Sequence, residues 1–294
     1  MTRRDFVLGA AATAVSLRAA TQPAPALCIF SKHLPDLGYD ELGKVSREMG
    51  FDGVDLTVRK GGHVLPAQAA DLPRAVEAIR AHKVAVPMIT TEILDAAAAE
   101  TRPILTAAAR SGVKLWKPGY WRFTDQEDPA VTLGRVKGAM AKLGALSHEL
   151  GLTAGFHNHS GNYVGASGTW DVREILAGID ARDAGAYFDV CHATAEGGVY
   201  GWQLGMRLLG PRIKMVALKD FYWAKNKMTM CPMGEGVVDW QKYFAALRGD
   251  GFSGPVSLHM EYKVADERAA IARDAEFARK HMKKAWPQMD ADKR

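Results

Sequence analysis

Hydrophobic and polar positions along the chain follow two alternating rhythms. Short apolar runs occupy residues 27–31, 53–58, 84–90, 113–118, 153–157, 185–190, 213–219 and 255–260. They have the length and composition of strands buried on both faces. Between them, the segments 39–49, 67–82, 101–111, 129–150, 171–177, 239–248 and 266–284 repeat their face-forming residues every three or four positions, the spacing of one side of a helix. In 129–150 that face is Val136, Met140, Leu143, Ser147 and Leu150. Asp128-Pro129 opens this segment as an N-cap followed by proline at the first helical position, and Gly151 closes it. Gly50, Gly112 and Gly251 stand at the same point, just ahead of the next apolar run.

Eight strands in strict alternation with helices predict an α/β fold, a single (β/α)8 barrel over residues 27–294. An open doubly wound sheet would carry a glycine-rich phosphate loop after its first strand. Here Ser31-Lys32-His33-Leu34-Pro35 follows instead. No domain linker interrupts the alternation, and the long loop is 220–238, after the seventh strand.

A barrel of this kind builds its site where the strands finish. Those ends carry Arg59 to His63, Thr90-Thr91-Glu92, Lys117, His157-Asn158-His159, Asp189 with His192 and Glu196, Lys219-Asp220, and His259 with Glu261. Loops are polar in any case, but His, Asp, Glu and Lys outnumber Ser, Asn and Gly here, which suits a metal and a polyhydroxylated or anionic ligand. The stretch 186–198 concentrates the signal. A buried strand delivers Asp189, His192 follows three positions later, and Glu196 four after that. Asp and His are good ligands for a divalent metal, and a tight turn can bring them to one point. The plainer alternative is an Asp that caps the turn, with His192 at the surface. Glu261 ends an apolar strand, where a carboxylate is costly to bury without a cation. Lys219 either binds substrate or pairs with an acid; Glu196 either binds a hydroxyl or sits on the rim. Lys117 and His63 are further candidate substrate contacts, and Phe221, Tyr222 and Trp223 either wall a pocket or form loop core.

Composition narrows the partners. The chain has 294 residues and a formal charge of +5. Three arginines and one aspartate fall within residues 1–26, so the remainder carries +3. No basic stripe interleaved with aromatics appears, so charge makes no case for nucleic acid. Cys28, Cys191 and Cys231 are odd in number and widely spaced, with no disulfide framework. Residues 1–26 read as a signal peptide of the twin-arginine type. Arg3-Arg4 precede Phe6, a short apolar run covers 8–17, and Ala24-Pro25-Ala26 offers a cleavage site. The run is too short to span a bilayer, so no stable membrane anchor is expected. The location implied is periplasmic or extracellular. This route exports folded proteins, so an enzyme could take up its metal in the cytoplasm.

Asp189-x-x-His192-x-x-x-Glu196, the Lys219-Asp220 strand end, the loop Pro232-Met233-Gly234-Glu235-Gly236-Val237-Val238-Asp239-Trp240 and Glu261 together resemble the xylose-isomerase-like TIM-barrel superfamily. That superfamily includes sugar isomerases and epimerases, inosose dehydratase and a metal-dependent endonuclease. The resemblance implies a divalent metal (Mn, Mg, Co or Zn) held by a Glu, an Asp, a His and a Glu on strands five to eight, and a proton shuttled through an enediolate. Carried over by position, Asp189 and Glu261 match. The strand-five Glu falls on His157, and the strand-seven His falls on Ala217. The resemblance therefore implies His157, Asp189 and Glu261 as metal ligands, Glu261 and His157 as catalytic groups, and His192 and Lys219 on substrate oxygens. The expected activity is that of an exported, metal-dependent sugar isomerase or epimerase acting on a small-molecule carbohydrate, with homo-oligomerisation compatible. The alternatives are a lyase or dehydratase on a 3-oxo-sugar or glycoside, and a barrel that only binds carbohydrate, which Ala217 favours. A nuclease of the same fold is disfavoured by the weak charge.

The export reading has a direct test. Replacing Arg3 and Arg4 by lysine leaves the protein in the cytoplasm with its N-terminal segment uncleaved; unchanged export of the double variant would show the pair to be incidental.

Overall fold

The computed structural model describes residues 23–287, so most of the signal segment read in 1–26 lies outside the described residues. Eight parallel strands close a barrel: β1 (Leu27–Phe30), β2 (Gly53–Val58), β3 (Ala85–Thr91), β4 (Leu115–Lys117), β5 (Thr153–His157), β6 (Ala184–Asp189), β7 (Ile213–Leu218) and, after a hairpin of β8 (Asp220–Ala224) and β9 (Lys227–Cys231), β10 (Val256–Leu258). Their order around the barrel is β1-β10-β7-β6-β5-β4-β3-β2, each strand beside its neighbour in sequence and the first beside the last. Helices cover the outside, as the alternation predicts.

The helix over Pro129–Leu150 starts and stops where its caps require. Asp128 accepts the amide of Ala130, and Gly151 takes the left-handed conformation at φ 66°. Asp239 and Asp266 cap the helices Trp240–Gly249 and Glu267–Ala285 in the same way. Among the described residues no helix is long and apolar enough to cross a membrane.

Two features were not expected from the pattern. After β6 the chain forms two helices, Val190–Gly197 and Gly201–Leu209. The second buries Trp202, Met206 and Leu209, a four-and-three spacing that the intervening Gly197-Gly198 breaks into short pieces. The long loop after the seventh strand holds the β8–β9 hairpin, whose two-residue turn places Lys225 and Asn226 at φ 48° and 61°. Both central residues at positive φ match a type I′ hairpin turn, and Asn226 without a following glycine is a weak signal for it. Beyond the hairpin, Asp220 gathers the chain back. Its carboxylate accepts from the amides of Gly234 and Val238 and from the Trp240 indole, at 3.0, 3.3 and 2.8 Å. Gly236 is required there, because a Cβ would stand 2.1 Å from Asp220 Oδ1.

Alternate residues point into the barrel. Met88, Tyr187, Met215 and Ala217 form an apolar plug separate from the larger core between strands and helices. Gly155 makes room for this plug, since a Cβ there would meet the Met215 methyl at 1.8 Å. Beside the plug lies Asp55, buried and hydrogen-bonded by the hydroxyls of Thr90, Tyr187 and Ser257 at 2.8, 3.0 and 3.0 Å. Small and hydroxylic residues thus make a dense floor beneath the strand ends.

Candidate active site

The ends of β5, β6, β7 and β10 bring His157, Asp189, Lys219 and Glu261 to one place. Adjacent registers set this up: Asp189 lies opposite Ala217, and Ala217 opposite Ser257. Two residues past Ala217, Lys219 is on the same inward parity.

Asp189 is fully buried and fixed by its backbone. Its carbonyl accepts from the Asn158 amide at 2.9 Å, and its own N–H donates to Asn158 Oδ1 at 2.8 Å. Oδ1 caps the next helix by accepting the His192 amide at 3.1 Å. Oδ2 lies 3.2 Å from Lys219 Nζ, 3.2 Å from His157 Nε2 and 3.8 Å from His192 Nε2. Lys219 Nζ is also 3.2 Å from Glu261 Oε2, and Lys32 Nζ is 3.2 Å from Glu261 Oε1. One buried ammonium therefore bridges two carboxylates. Burial alone would lower the Lys219 pKa, but Asp189 and Glu261 outweigh it and raise it. Glu261 is held well below the usual carboxylate range, chiefly by Lys219. Asp189 is pushed up by burial and down by Lys219, and ends lowered. All three groups are ionised at neutral pH.

The histidines are different. Burial pushes His157 and His192 well below the ordinary imidazole value, and Lys219 adds to this, joined at His157 by Lys117. A neutral His157 beside a carboxylate must donate from Nε2, so Nδ1 accepts the Tyr120 hydroxyl at 2.7 Å. Its ring stacks on Tyr187 at 4.5 Å. His192 Nδ1 meets Ser160 Oγ at 2.7 Å, while Nε2 has no hydrogen-bond partner and faces Asp189.

These groups open on a cavity of about 180 Å³ whose lining includes Lys32, Arg59, Lys117, Tyr120, His157, His159, Lys219, His259 and Glu261. A second hollow of about 280 Å³ lies at the other end of the barrel, around Pro211, Ile213, Lys214 and Phe252, and holds no histidine. The cluster of charged and imidazole side chains is at the carboxyl ends of the strands.

Comparison with known proteins identifies the fold family. A profile of the xylose isomerase-like TIM barrel matches residues 44–281. The chain belongs to that family. No curated protein matches it. Among solved structures, the E. coli 3-keto-D-glucoside 4-epimerase YcjR superposes with a TM-score of 0.70 at 16% identity, covering 87% of this chain and 99% of the epimerase. An L-ribulose 3-epimerase gives 0.69 at 14%, covering 89% and 95%. The probable 3-DHS dehydratase AsbF from Bacillus anthracis gives 0.63 at 14%, covering 85% and 97%. At such identities the likeness is one of fold.

Within this xylose isomerase-like barrel the expected metal set takes another form. His157, Asp189 and Glu261 do converge, but Lys219 Nζ stands between the two carboxylates at 3.2 Å from each. A divalent ion bonded to both at about 2.0–2.6 Å would need that space. Strand seven offers Ala217 where the resemblance wants a histidine. Both nitrogens of His157 are engaged, and among the described residues no group of three or more His, Cys, Asp or Glu side chains is placed to hold a metal ion. The orphaned His192 Nε2 faces the same Asp189 oxygen that Lys219 occupies. The donor set does not fit the metal that the resemblance implies.

The other expected residues divide. Lys117 and Lys219 line the cavity, and His192 is buried behind it, against His159 at 3.8 Å between ring centroids. Glu196 is exposed and accepts the Gly161 amide at 2.8 Å, tying its helix to the loop after β5. His63 lies outside the lining, its ring nitrogens taken by Thr57 Oγ1 and the Leu34 carbonyl at 3.1 Å each. Phe221 is core, and Tyr222 and Trp223 are exposed on the hairpin away from the lining. Sequence reasoning passed over Tyr120, Lys32, Asn158 and Ser160. Tyr120 follows Pro118-Gly119 at the end of β4, and Lys32 follows β1, so strand-end position was the signal available for both.

Removing the bridge exposes its weight. Lys219→Met leaves two carboxylates without their shared cation and costs about 3–5 kcal/mol at pH 7. In the native protein the depressed Glu261 and Asp189 pKa values contribute stability above their unfolded values of 4.5 and 3.8, and that contribution is lost as pH falls. The gap between native protein and variant therefore narrows as pH drops through this range, as urea denaturation at pH 7 and pH 4 would show. A gap independent of pH would contradict the bridge.

Proposed function

We propose that the protein is a sugar isomerase or epimerase acting on the carbon beside the carbonyl of a ketose or oxidised sugar, with the Lys219 ammonium taking the electrostatic part expected of a metal. The observation that carries this reading is the Glu261–Lys219–Asp189 bridge at the wall of a polar cavity, in a barrel shared with sugar epimerases. A substrate carbonyl approaching Lys219 takes up an N–H that otherwise serves Glu261. This weakens the pairing that keeps Glu261 a poor base and raises its basicity as the reacting C–H arrives. Glu261 then removes that proton. The charge that develops on the substrate oxygen is met by Lys219, whose donor is fixed in a dry setting by Asp189. Transfer of the hydroxyl proton to the former carbonyl oxygen, with return of a proton to the neighbouring carbon, completes isomerisation; return of a proton to the opposite face of the original carbon completes epimerisation.

Elimination is the second reading, and a specific asymmetry favours it. Glu261 is the carboxylate of the lining, and the proton-bearing groups beside it include a phenol and a neutral imidazole, Tyr120 and His157, instead of a second carboxylate. Burial holds the Tyr120 phenol in its protonated form, so it can protonate a leaving oxygen after Glu261 has taken the adjacent C–H proton. AsbF, a probable dehydratase, has the same fold. We also propose that the enzyme works outside the cytoplasm, on the strength of the Arg3-Arg4 signal.

The test is exchange in D2O with ketoses and 3-oxo-glycosides, followed by NMR. An isomerase or epimerase gives a deuterated isomer, and a lyase gives an unsaturated ketone. Glu261→Gln lowers turnover at least about 10²-fold, and dialysis against EDTA leaves native turnover unchanged. Full activity of Glu261→Gln would remove the assignment. Absence of exchange on every substrate would leave a carbohydrate-binding barrel.

A further inference from the structure

The charges lining the cavity fall into two groups. Lys32 and Lys219 are paired with Glu261, and Lys219 also with Asp189. Two cations therefore face two carboxylates, and this half is neutral. The other half holds Arg59, just past β2, and Lys117, at the end of β4. Neither side chain has a carboxylate within 4.0 Å among the described residues. Lys117 is 3% exposed, donates to the Pro118 carbonyl at 2.7 Å and lies 3.5 Å from the centre of the Tyr120 ring. Arg59 lies over the Phe30 ring at 5.6 Å. Between them stands Thr90 of β3, whose hydroxyl is turned to Asp55.

We infer that Arg59 and Lys117 form a subsite for an anionic group of the substrate, a carboxylate or a phosphate, carried at the end of the sugar away from the reacting carbonyl. A buried cation without a counter-ion is costly, and the partly exposed Arg59 adds to that cost at Lys117. The acids that act on Lys117 do not resolve this. Asp55 spends hydrogen bonds on three hydroxyls and is not within 4.0 Å of the Lys117 amine, and Glu92 is exposed. Burial first, and Arg59 next, push the Lys117 amine down to about 7, so the pair lacks a partner that a ligand oxyanion would supply. A planar guanidinium and an ammonium across one oxyanion are a common recognition pair for carboxylate and phosphate. The subsite lies on the β2–β4 side and the bridge on the β5–β10 side. A substrate spanning both would have its acid group held while its carbonyl meets Lys219. This deepens the isomerase reading and rests on it for the orientation of the sugar, though binding itself does not require turnover.

Calorimetry with D-glucuronate, D-glucose 6-phosphate, D-glucose and inorganic phosphate separates the cases. At least one of the two anionic sugars binds about tenfold or more tighter than glucose, the scale of one charged hydrogen bond, and which of them does so identifies carboxylate or phosphate. Above pH 7 binding takes up protons, because the anion returns the Lys117 amine to its charged form; this appears as a heat that depends on the buffer. Lys117→Met and Arg59→Gln each remove about tenfold of the anion's advantage, and Lys117→Met also abolishes the proton uptake. Arg59 is partly exposed, so Arg59→Gln serves if Lys117→Met fails to fold. Equal binding of glucose and both anionic sugars would overturn the subsite, as would undiminished anion binding by folded variants or no binding of either anionic sugar. Inorganic phosphate bound as tightly as the sugars, with no effect of either substitution, would overturn it as well. Anion discrimination without deuterium exchange would leave the subsite standing and remove only the reaction.

Discussion

The Lys219 ammonium between Asp189 and Glu261 is the contact on which the active end of the barrel depends. Three strands must finish at the same height for it to form, and the registers of β6, β7 and β10 supply that. Asp189 cannot turn away, because Asn158 holds its backbone and the helix after it takes one carboxylate oxygen. Ala217, a small member of the plug, stands beside Asp189 in register. Desolvating two carboxylates and an ammonium is expensive, and the bridge is stable because each member meets an opposite charge. In the proposed isomerase reading, a substrate oxygen that draws on Lys219 changes the basicity of Glu261.

Around this contact the cavity is divided by charge. One half is balanced internally and suited to moving a proton. The other presents Arg59 and Lys117 with no carboxylate within 4.0 Å among the described residues, and is suited to holding a charged group still. The Tyr120–His157–Asp189 chain of hydrogen bonds joins the two halves, with Tyr120 beneath the Lys117 ammonium. The hydrogen-bonded Tyr120 and His157 rings thus connect the two sides, with His157 stacked on Tyr187.

Much of the architecture was legible in the chain. Eight apolar runs separated by capped amphipathic segments leave little besides a (β/α)8 barrel, and the caps at Asp128 and Gly151 act as their residue types imply. The helices after β6 were harder to read because Gly197-Gly198 cuts their periodicity, and the hairpin because its Lys225-Asn226 turn lacks glycine. At the site, Asp189 and Glu261 could be picked out because a carboxylate at the end of a buried strand demands a counter-charge. What supplies that counter-charge was not legible. Lys219 read as either a substrate contact or the partner of an acid, and only the three-dimensional meeting of β6, β7 and β10 shows it on both acids. His157 had the right parity, but its neighbours Tyr120 and Asp189 lie 37 and 32 residues away in sequence, at the ends of the strands either side of β5, and they occupy the nitrogens that the resemblance assigned to a metal. Lys32 reaches Glu261 from the first strand end, 229 residues away in sequence, a separation no local pattern carries.

The measurement closest to the central claim is a crystal structure of the protein grown with excess Mn²⁺ and recorded at the manganese absorption edge. The account predicts no anomalous peak between Asp189 and Glu261, with Lys219 Nζ lying between their carboxylates. A manganese ion bonded to both carboxylates, with Lys219 displaced, would contradict it.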